Sequence, residues 1–323
     1  MTNHNIFGLD NLGSTCYLNS TLQCLFSFDK FRQGLLTKGT TEQMPISSSI
    51  VEILNSDRRK GMKSLIRSLM QKVNWFRFLQ HNDINEFIML FFDQLNVELA
   101  TKQRYDAPQK AIQHDQRLNK FMHRANKSWE RFVKTENSWF NDLSTGQVVN
   151  QIICGNCGKI HHNYETFRVL DVEIPDDFDG QIQLNDCLHT FFAKHHINVS
   201  NDDDKWRCDA CNATDKSLKS CKIVKAPDML IIALKRFKQH SGSFIKNNEH
   251  VAIPRHLNTA EFAISREDFK LKAIANHMGG TQGGHYNAFT KHADQWFLID
   301  DDEVKKVQEI HDRSAYTIFY EKK

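Results

Sequence analysis

The chain is 323 residues long, room for one large domain or two ordinary ones, and its 5 prolines and 14 glycines are too few for a long disordered linker. Its 42 basic and 39 acidic residues are interspersed and leave a net charge of +3, which argues against a nucleic-acid partner recognised by bulk charge. No apolar run reaches the roughly 18 to 20 residues that span a bilayer, and "MTNHNIFG" lacks the basic and apolar regions of a signal peptide, so a soluble, intracellular chain is expected.

In that setting the eight cysteines point to metal ligation or catalysis rather than disulfides. The first lies in "GLDNLGSTCYLNSTLQCLFSF", residues 8 to 28, where Leu18, Leu22 and Leu25 fall at helical spacing and predict a buried helix face. Ser14 or Thr15 suits its N-cap, which puts Cys16 in the first turn. There the helix dipole and free backbone N–H groups favour a thiolate and predict a pKa below the intrinsic value of about 8.5. Cys16 reads either as a reactive thiol or as a small apolar residue opening a core helix. Cys24, Cys187 and Cys221 lie in apolar or mixed segments and read as buried small residues. Asn11, five residues before Cys16, is either a turn residue or an amide donor for an oxyanion.

A cleaner helical stripe follows: Ile84, Phe87, Ile88, Phe91, Phe92, Leu95 and Leu99. Asp83-x-x-Glu86 opens it as a capping pattern, each carboxylate well placed against the dipole. From about Gln147 the pattern changes to strands: "QVVNQIIC", "FRVLDVEI", "DMLIIALKRF", "HYNAF" and "WFLID". Between them "LNDCLHTFFAKHH" predicts a helix, and Asp202 to Asp204 a solvated loop.

"CGNCG" and "CDACN" set Cys154 with Cys157 and Cys208 with Cys211. Two Cys-x-x-Cys turns supply the four thiolates of a tetrahedral zinc shell, and a closed shell is structural because it leaves no position for water. A redox pair or accidental spacing is the competing reading. Fifty residues part the two turns, so the ion would pin two distant hairpins together. His161, His162, His195 and His196 then remain surface residues.

"GGTQGGHYNAFTKHADQWFLIDDDEV" predicts a hairpin in which residues whose numbers sum to about 585 to 587 face each other. His285 on the first strand therefore lies beside the head of Asp300, Asp301 and Asp302, where a carboxylate would fix the imidazole tautomer. Gly279, Gly280, Gly283 and Gly284 would let backbone approach a substrate closely.

At these positions the chain resembles the ubiquitin-specific proteases, papain-like deubiquitinating enzymes. "GLDNLGSTCYLN" is similar to their cysteine box, and "GGHYNAF" with "WFLIDDDEV" to their histidine box. "NDINEF", the two cysteine pairs, "PDMLIIALKRF", "FKLKAIANHMGG" and "AYTIFYE" match in order between and after them, so the resemblance runs from residue 8 to 321. It departs at Ser14, where the family often has Asn, and at Asn82 and Ile84, where Gln and Ala are frequent.

The resemblance implies an α+β, papain-like fold in one catalytic domain over 1–323, with a helical thumb to about residue 145 and β-rich fingers and palm beyond. It implies Cys16 as nucleophile, His285 as base, Asp300 as third triad member, Asn11 as oxyanion donor and Asp301 as an auxiliary acid. Asp83 and Glu86 would meet the basic C-terminal tail of ubiquitin, with Tyr286 and Gly284 beside it, and the four paired cysteines would hold one structural zinc. The expected activity is hydrolysis after the C-terminal glycine of ubiquitin through a thioester. A catalytically silent ubiquitin-binding scaffold, or a protease for a ubiquitin-like modifier, is the alternative. The expected partners are ubiquitin and ubiquitinated proteins, with no nucleic acid or membrane, for a monomer in cytoplasm or nucleus.

Overall fold

The computed structural model describes residues 6–55, 57–100, 116–176, 178–199, 205–240, 242–280, 283–311 and 313–323. Helices come first among these: α1 (Cys16–Phe26), α2 (Asp29–Lys38), α3 (Pro45–Asn55), α4 (Arg58–Lys72), α5 (Ile84–Leu99), α6 (Gln116–Thr135) and α7 (Trp139–Ser144). All seven apolar residues of the α5 stripe are buried, as the 3.6-residue period requires. Helix α1 differs from its expected one-faced form, because all of its residues are buried. Two of its polar side chains reach the preceding segment: Gln23 Nε2 donates to the Phe7 carbonyl at 2.8 Å and Asn19 Nδ2 to the Leu9 carbonyl at 3.1 Å.

The rest is mainly β. Strands β1 (Gly146–Ile153), β2 (Ile160–Phe167), β3 (Val169–Glu173) and β4 (Ile182–Gln183) precede α8 (Leu184–Phe192). After it come β5 (His195–Ile197), β6 (Ser217–Lys225), β7 (Met229–Lys235), β8 (Phe237–His240), β9 (Ser243–Lys246), β10 (Val251–Ala252), β11 (His256–Asn258), β12 (Asp268–Gly280), β13 (Gly283–His292), β14 (Gln295–Asp300), β15 (Glu303–Val307) and β16 (Ala315–Lys322). The predicted helix over 184–196 thus stops at Phe192. Ala193 turns extended, and His195 and His196 begin a strand paired with β6. The acidic run Asp202 to Asp204 lies outside the described residues.

One sheet runs β15-β14-β13-β12-β16-β7-β3, with β11 on β12, and β3 joins β7 in parallel. "MLIIAL" on β7 shows why it is central: Met229 and Ile231 pack into the helical core, Leu230, Ile232 and Leu234 into a second core behind the sheet. A strand covered on both faces reads as a continuous apolar run. A second sheet, β2-β1-β6-β5, carries α6, whose Trp129 lies under Lys225 Nζ at 3.6 Å from the ring centre. Among the described residues, no helix is long and apolar enough to cross a membrane.

Candidate active site

Helix α1 and strand β13 pack together where the helical core meets the large sheet, and Cys16 is the first residue of α1. Thr15 occupies the N-cap position, yet its hydroxyl turns back to accept from Leu12 N–H at 2.9 Å and does not cap the helix. The first-turn N–H groups are therefore left for the sulfur and for whatever sits beside it. Ser14 has φ +53°, in the left-handed region where Asn is better tolerated than Ser.

Cys16 is 2 % exposed, and burial pushes its thiol above the ordinary range. Backbone hydrogen bonding at Tyr286, Tyr17 and Cys16 itself opposes the shift, while the Asp301 charge adds to it. The direction is opposite to the sequence expectation, because desolvation outweighs the helix terminus.

His285 stands on β13 opposite Met278 of β12, next to the residue whose backbone meets the sulfur. Its Nε2 contacts a carboxylate oxygen of Asp300 at the end of β14, leaving Nδ1 as the nitrogen able to accept a proton. The β13–β14 hairpin pairs His292 with Gln295 and Ala288 with Ile299, a register sum of 587, within the expected range. Among the described residues no hydrogen bond joins Cys16 Sγ to the His285 imidazole; the link between them is Tyr286, whose backbone meets the sulfur and which follows His285 on β13.

Asp301 does something other than hold the histidine. Its Oδ2 accepts from Asn11 Nδ2 at 2.9 Å and its Oδ1 from Asn19 Nδ2 at 2.8 Å. Asn11 Oδ1 in turn accepts from the N–H groups of Gly13 and Thr15, both at 3.1 Å. The Asn11 amide is thereby oriented with its oxygen inside the turn and its nitrogen outward, where one N–H stays available to an oxyanion. The Asp301 carbonyl accepts from Leu9 N–H at 2.8 Å. Gly8 makes this approach possible, since a Cβ there would lie 2.2 Å from the Asp302 carbonyl oxygen. Sequence reasoning missed Asn19; a polar side chain inside an apolar helix was the available signal.

The Asp83–Glu86 pair divides its duties. Asp83 Oδ1 caps α5, accepting from Asn85 N–H at 2.8 Å and Glu86 N–H at 3.1 Å, and its Oδ2 accepts from the Tyr316 phenol. Glu86 is exposed. Tyr286 is 5 % exposed, its hydroxyl accepting from Ile84 N–H at 3.4 Å and its ring 4.6 Å from that of His277. Its side chain buttresses the α5 terminus, and its backbone faces the sulfur. Gly284 packs so tightly on β12 that a Cβ would stand 2.3 Å from His277 Nε2.

Cys154, Cys157, Cys208 and Cys211 converge, all four sulfurs within 4.8 Å of one another. Cys154 and Cys211 are 3.8 Å apart and Cys157 and Cys208 3.7 Å. That fits the sulfur–sulfur edge of about 3.8 Å that a tetrahedron with 2.3 Å Zn–S bonds requires. The two turns share one backbone pattern: Gly158 N–H donates to Cys154 O and Asn212 N–H to Cys208 O, while Cys154 and Cys208 N–H donate to Lys159 O and Ala213 O. The donor set and spacing therefore fit zinc. His161 is not a plain surface residue, for its Nε2 lies 3.3 Å from Cys208 Sγ; His162 meets Gln151 at 3.1 Å, whereas His195 and His196 are exposed.

A family model described as ubiquitin carboxyl-terminal hydrolase matches residues 7–320. The chain is similar to human ubiquitin carboxyl-terminal hydrolase 21, 27% identical over 348 residues, covering 97% of this chain and 61% of that protein. It is 28% identical over 334 residues to ubiquitin carboxyl-terminal hydrolase Usp2 of Drosophila melanogaster, covering 98% of this chain and 34% of that one. The chain thus spans about three fifths, or less, of these curated relatives. Among solved structures it resembles the SAGA Ubp8/Sgf11/Sus1/Sgf73 DUB module bound to ubiquitin aldehyde, with a TM-score of 0.76 at 22% identity over 98% of this chain and 70% of that one, a likeness of fold.

Proposed function

The chain belongs to the ubiquitin carboxyl-terminal hydrolase family, and from that premise we propose that it is a thiol isopeptidase releasing ubiquitin from lysine side chains. One observation carries the reading: Cys16 opens an uncapped helix beside the backbone of Tyr286, next to a His285–Asp300 pair.

His285 Nδ1 takes the proton of the raised Cys16 thiol as the sulfur attacks the carbonyl carbon of ubiquitin's C-terminal glycine. The oxyanion accepts from the outward N–H of Asn11 and from the Cys16 backbone. Protonated His285 passes its proton to the departing lysine amine, and a water deprotonated by His285 hydrolyses the thioester. Asp300 holds the imidazole throughout, and Asp301 holds Asn11. Glu86 is the carboxylate offered to the basic ubiquitin tail, since Asp83 is committed to its cap and to Tyr316. The four paired cysteines would hold one zinc, which supplies a cross-link between the β1–β2 hairpin and the chain entering β6. The chain acts as a monomer on ubiquitin conjugates inside the cell.

Covalent labelling with ubiquitin bearing a C-terminal electrophile tests the reading. One adduct on wild type and none on Cys16→Ala is the expected result. Binding of ubiquitin without any adduct would favour a silent scaffold, and labelling only by a ubiquitin-like probe would move the substrate to that modifier.

A further inference from the structure

A cavity of about 350 Å³ lies between β9, the end of β12 and the turn before β16, lined by Arg236, Lys246, Asn248, His277, Arg313 and Ser314 among others. Arg236 follows β7 and is 1 % exposed. Its Nε donates to Ala315 O at 2.7 Å and its Nη1 to Asn247 O at 3.0 Å and Glu249 O at 2.8 Å, but Nη2 has no partner. No carboxylate hydrogen-bonds to this guanidinium among the described residues, although the charge of exposed Glu249 acts on it from nearby. A buried cation that meets only carbonyl oxygens keeps most of its desolvation cost.

The other walls repeat the imbalance. Lys246 Nζ donates to His277 O at 2.8 Å and Gly279 O at 2.9 Å, leaving its third N–H. Arg313 is exposed and has no ion pair among the described residues. His277, 5 % exposed, has an unpartnered Nδ1. Ser314 and Asn248 add neutral donors. None of the eight residues lining the cavity is acidic.

We propose that this cavity is a binding site for a phosphoryl group. Two guanidinium groups and one ammonium supply the positive charge that a tetrahedral dianion needs: Lys246, already held in place by its carbonyl partners, and exposed Arg313 offer the donors, while the enclosed Arg236 adds its charge from beneath. The group reaches the cavity either as free phosphate or on a phosphorylated side chain of a bound protein. Because Lys246 also holds the carbonyl of Gly279, occupancy would fix the strand end that leads through the glycine segment to His285. The site stands apart from the proposed isopeptidase chemistry and survives if that reading fails.

The test is thermal unfolding and calorimetric titration of the zinc-loaded full chain with inorganic phosphate at constant ionic strength. A saturable rise in Tm is expected, with affinity weakened about tenfold in Arg313→Gln and in Lys246→Gln, the usual scale for losing a charge-assisted hydrogen bond. Arg313 is exposed, so its variant keeps the test open should Arg236→Lys not fold. A phosphoserine peptide binding more tightly than phosphate with the same Arg313 dependence assigns the group to a protein; equal or weaker binding assigns it to the free anion. A rise in Tm that never saturates and is equal in wild type and Arg313→Gln overturns the site, and acetate binding as well as phosphate overturns its phosphoryl character.

Discussion

Asp301 and Asn11 lie 290 positions apart in the chain and 2.9 Å apart in the fold, carboxylate to amide. The contact fixes which way the amide of Asn11 points, and with it the outer half of the candidate oxyanion site.

Asn11→Ala is expected to lower kcat on a ubiquitin reporter by about 100-fold, the usual effect of removing one oxyanion donor. Asp301→Ala, which only releases that donor and Asn19, should lower kcat by about tenfold and leave KM within about twofold. Alkylation of Cys16 by a small haloacetamide should proceed in both variants. A rise in KM with unchanged kcat for Asp301→Ala would contradict a positioning role.

The two carboxylates at the start of α5 should separate in a double measurement. Asp83→Ala removes the cap and strands the Tyr316 phenol, so urea unfolding should show a loss of about 1–3 kcal/mol. Glu86→Ala should change stability by less than about 0.5 kcal/mol while raising KM for ubiquitin substrates about two- to fivefold, the worth of an exposed charge contact. Equal effects of both variants on both readouts would refute the division.

His277 carries a pH dependence. Burial, aided by the Lys246 charge, lowers its pKa from 6.5 to about 4. A base with a depressed folded pKa binds fewer protons in the native state than when unfolded, so its contribution is complete above about pH 6.5 and is lost as pH falls toward 4. Stability measured by denaturant midpoint should decline across that window, and His277→Phe, which keeps an aromatic ring beside Tyr286, Tyr316 and Phe237, should flatten the decline.

Elemental analysis should find one zinc per chain, lost in Cys154→Ser. A structural ion of this kind contributes several kcal/mol, so its loss should lower Tm by at least about 5 °C. Reaction of Cys16 with a small alkylating agent should persist. Metal-free protein with wild-type Tm would remove zinc from the account.

What could be read beforehand was local. The α5 stripe, the knuckle spacing at Cys154 and Cys208, and the His285–Asp300 register follow from periods of a few residues, which sequence displays directly. The burial of α1 on every side was not legible, because Asn19 and Gln23 look like a solvent face until the segment before Cys16 wraps over them. The same holds for Asp83: its capping role is written three residues ahead, but its second oxygen is claimed by Tyr316 from the far end of the chain. The direction of the Cys16 shift depended on how much dry protein surrounds the sulfur, which no motif encodes. Arg236 sits in a quoted strand motif, yet its unpartnered nitrogen appears only once β9 and β16 are in place.

The stitching of the N-terminal segment onto Asp301 and Asp302 also has a meaning in time. Asn11 and Asn19 precede their shared anchor Asp301 by 290 and 282 positions, so on the proposed mechanism Cys16 is synthesised long before the groups that orient Asn11 and hold His285. Loops of this length close late. On that mechanism the thiol gains its catalytic setting only once β13 and the Asp300–Asp301 segment have docked against α1 and the segment before it.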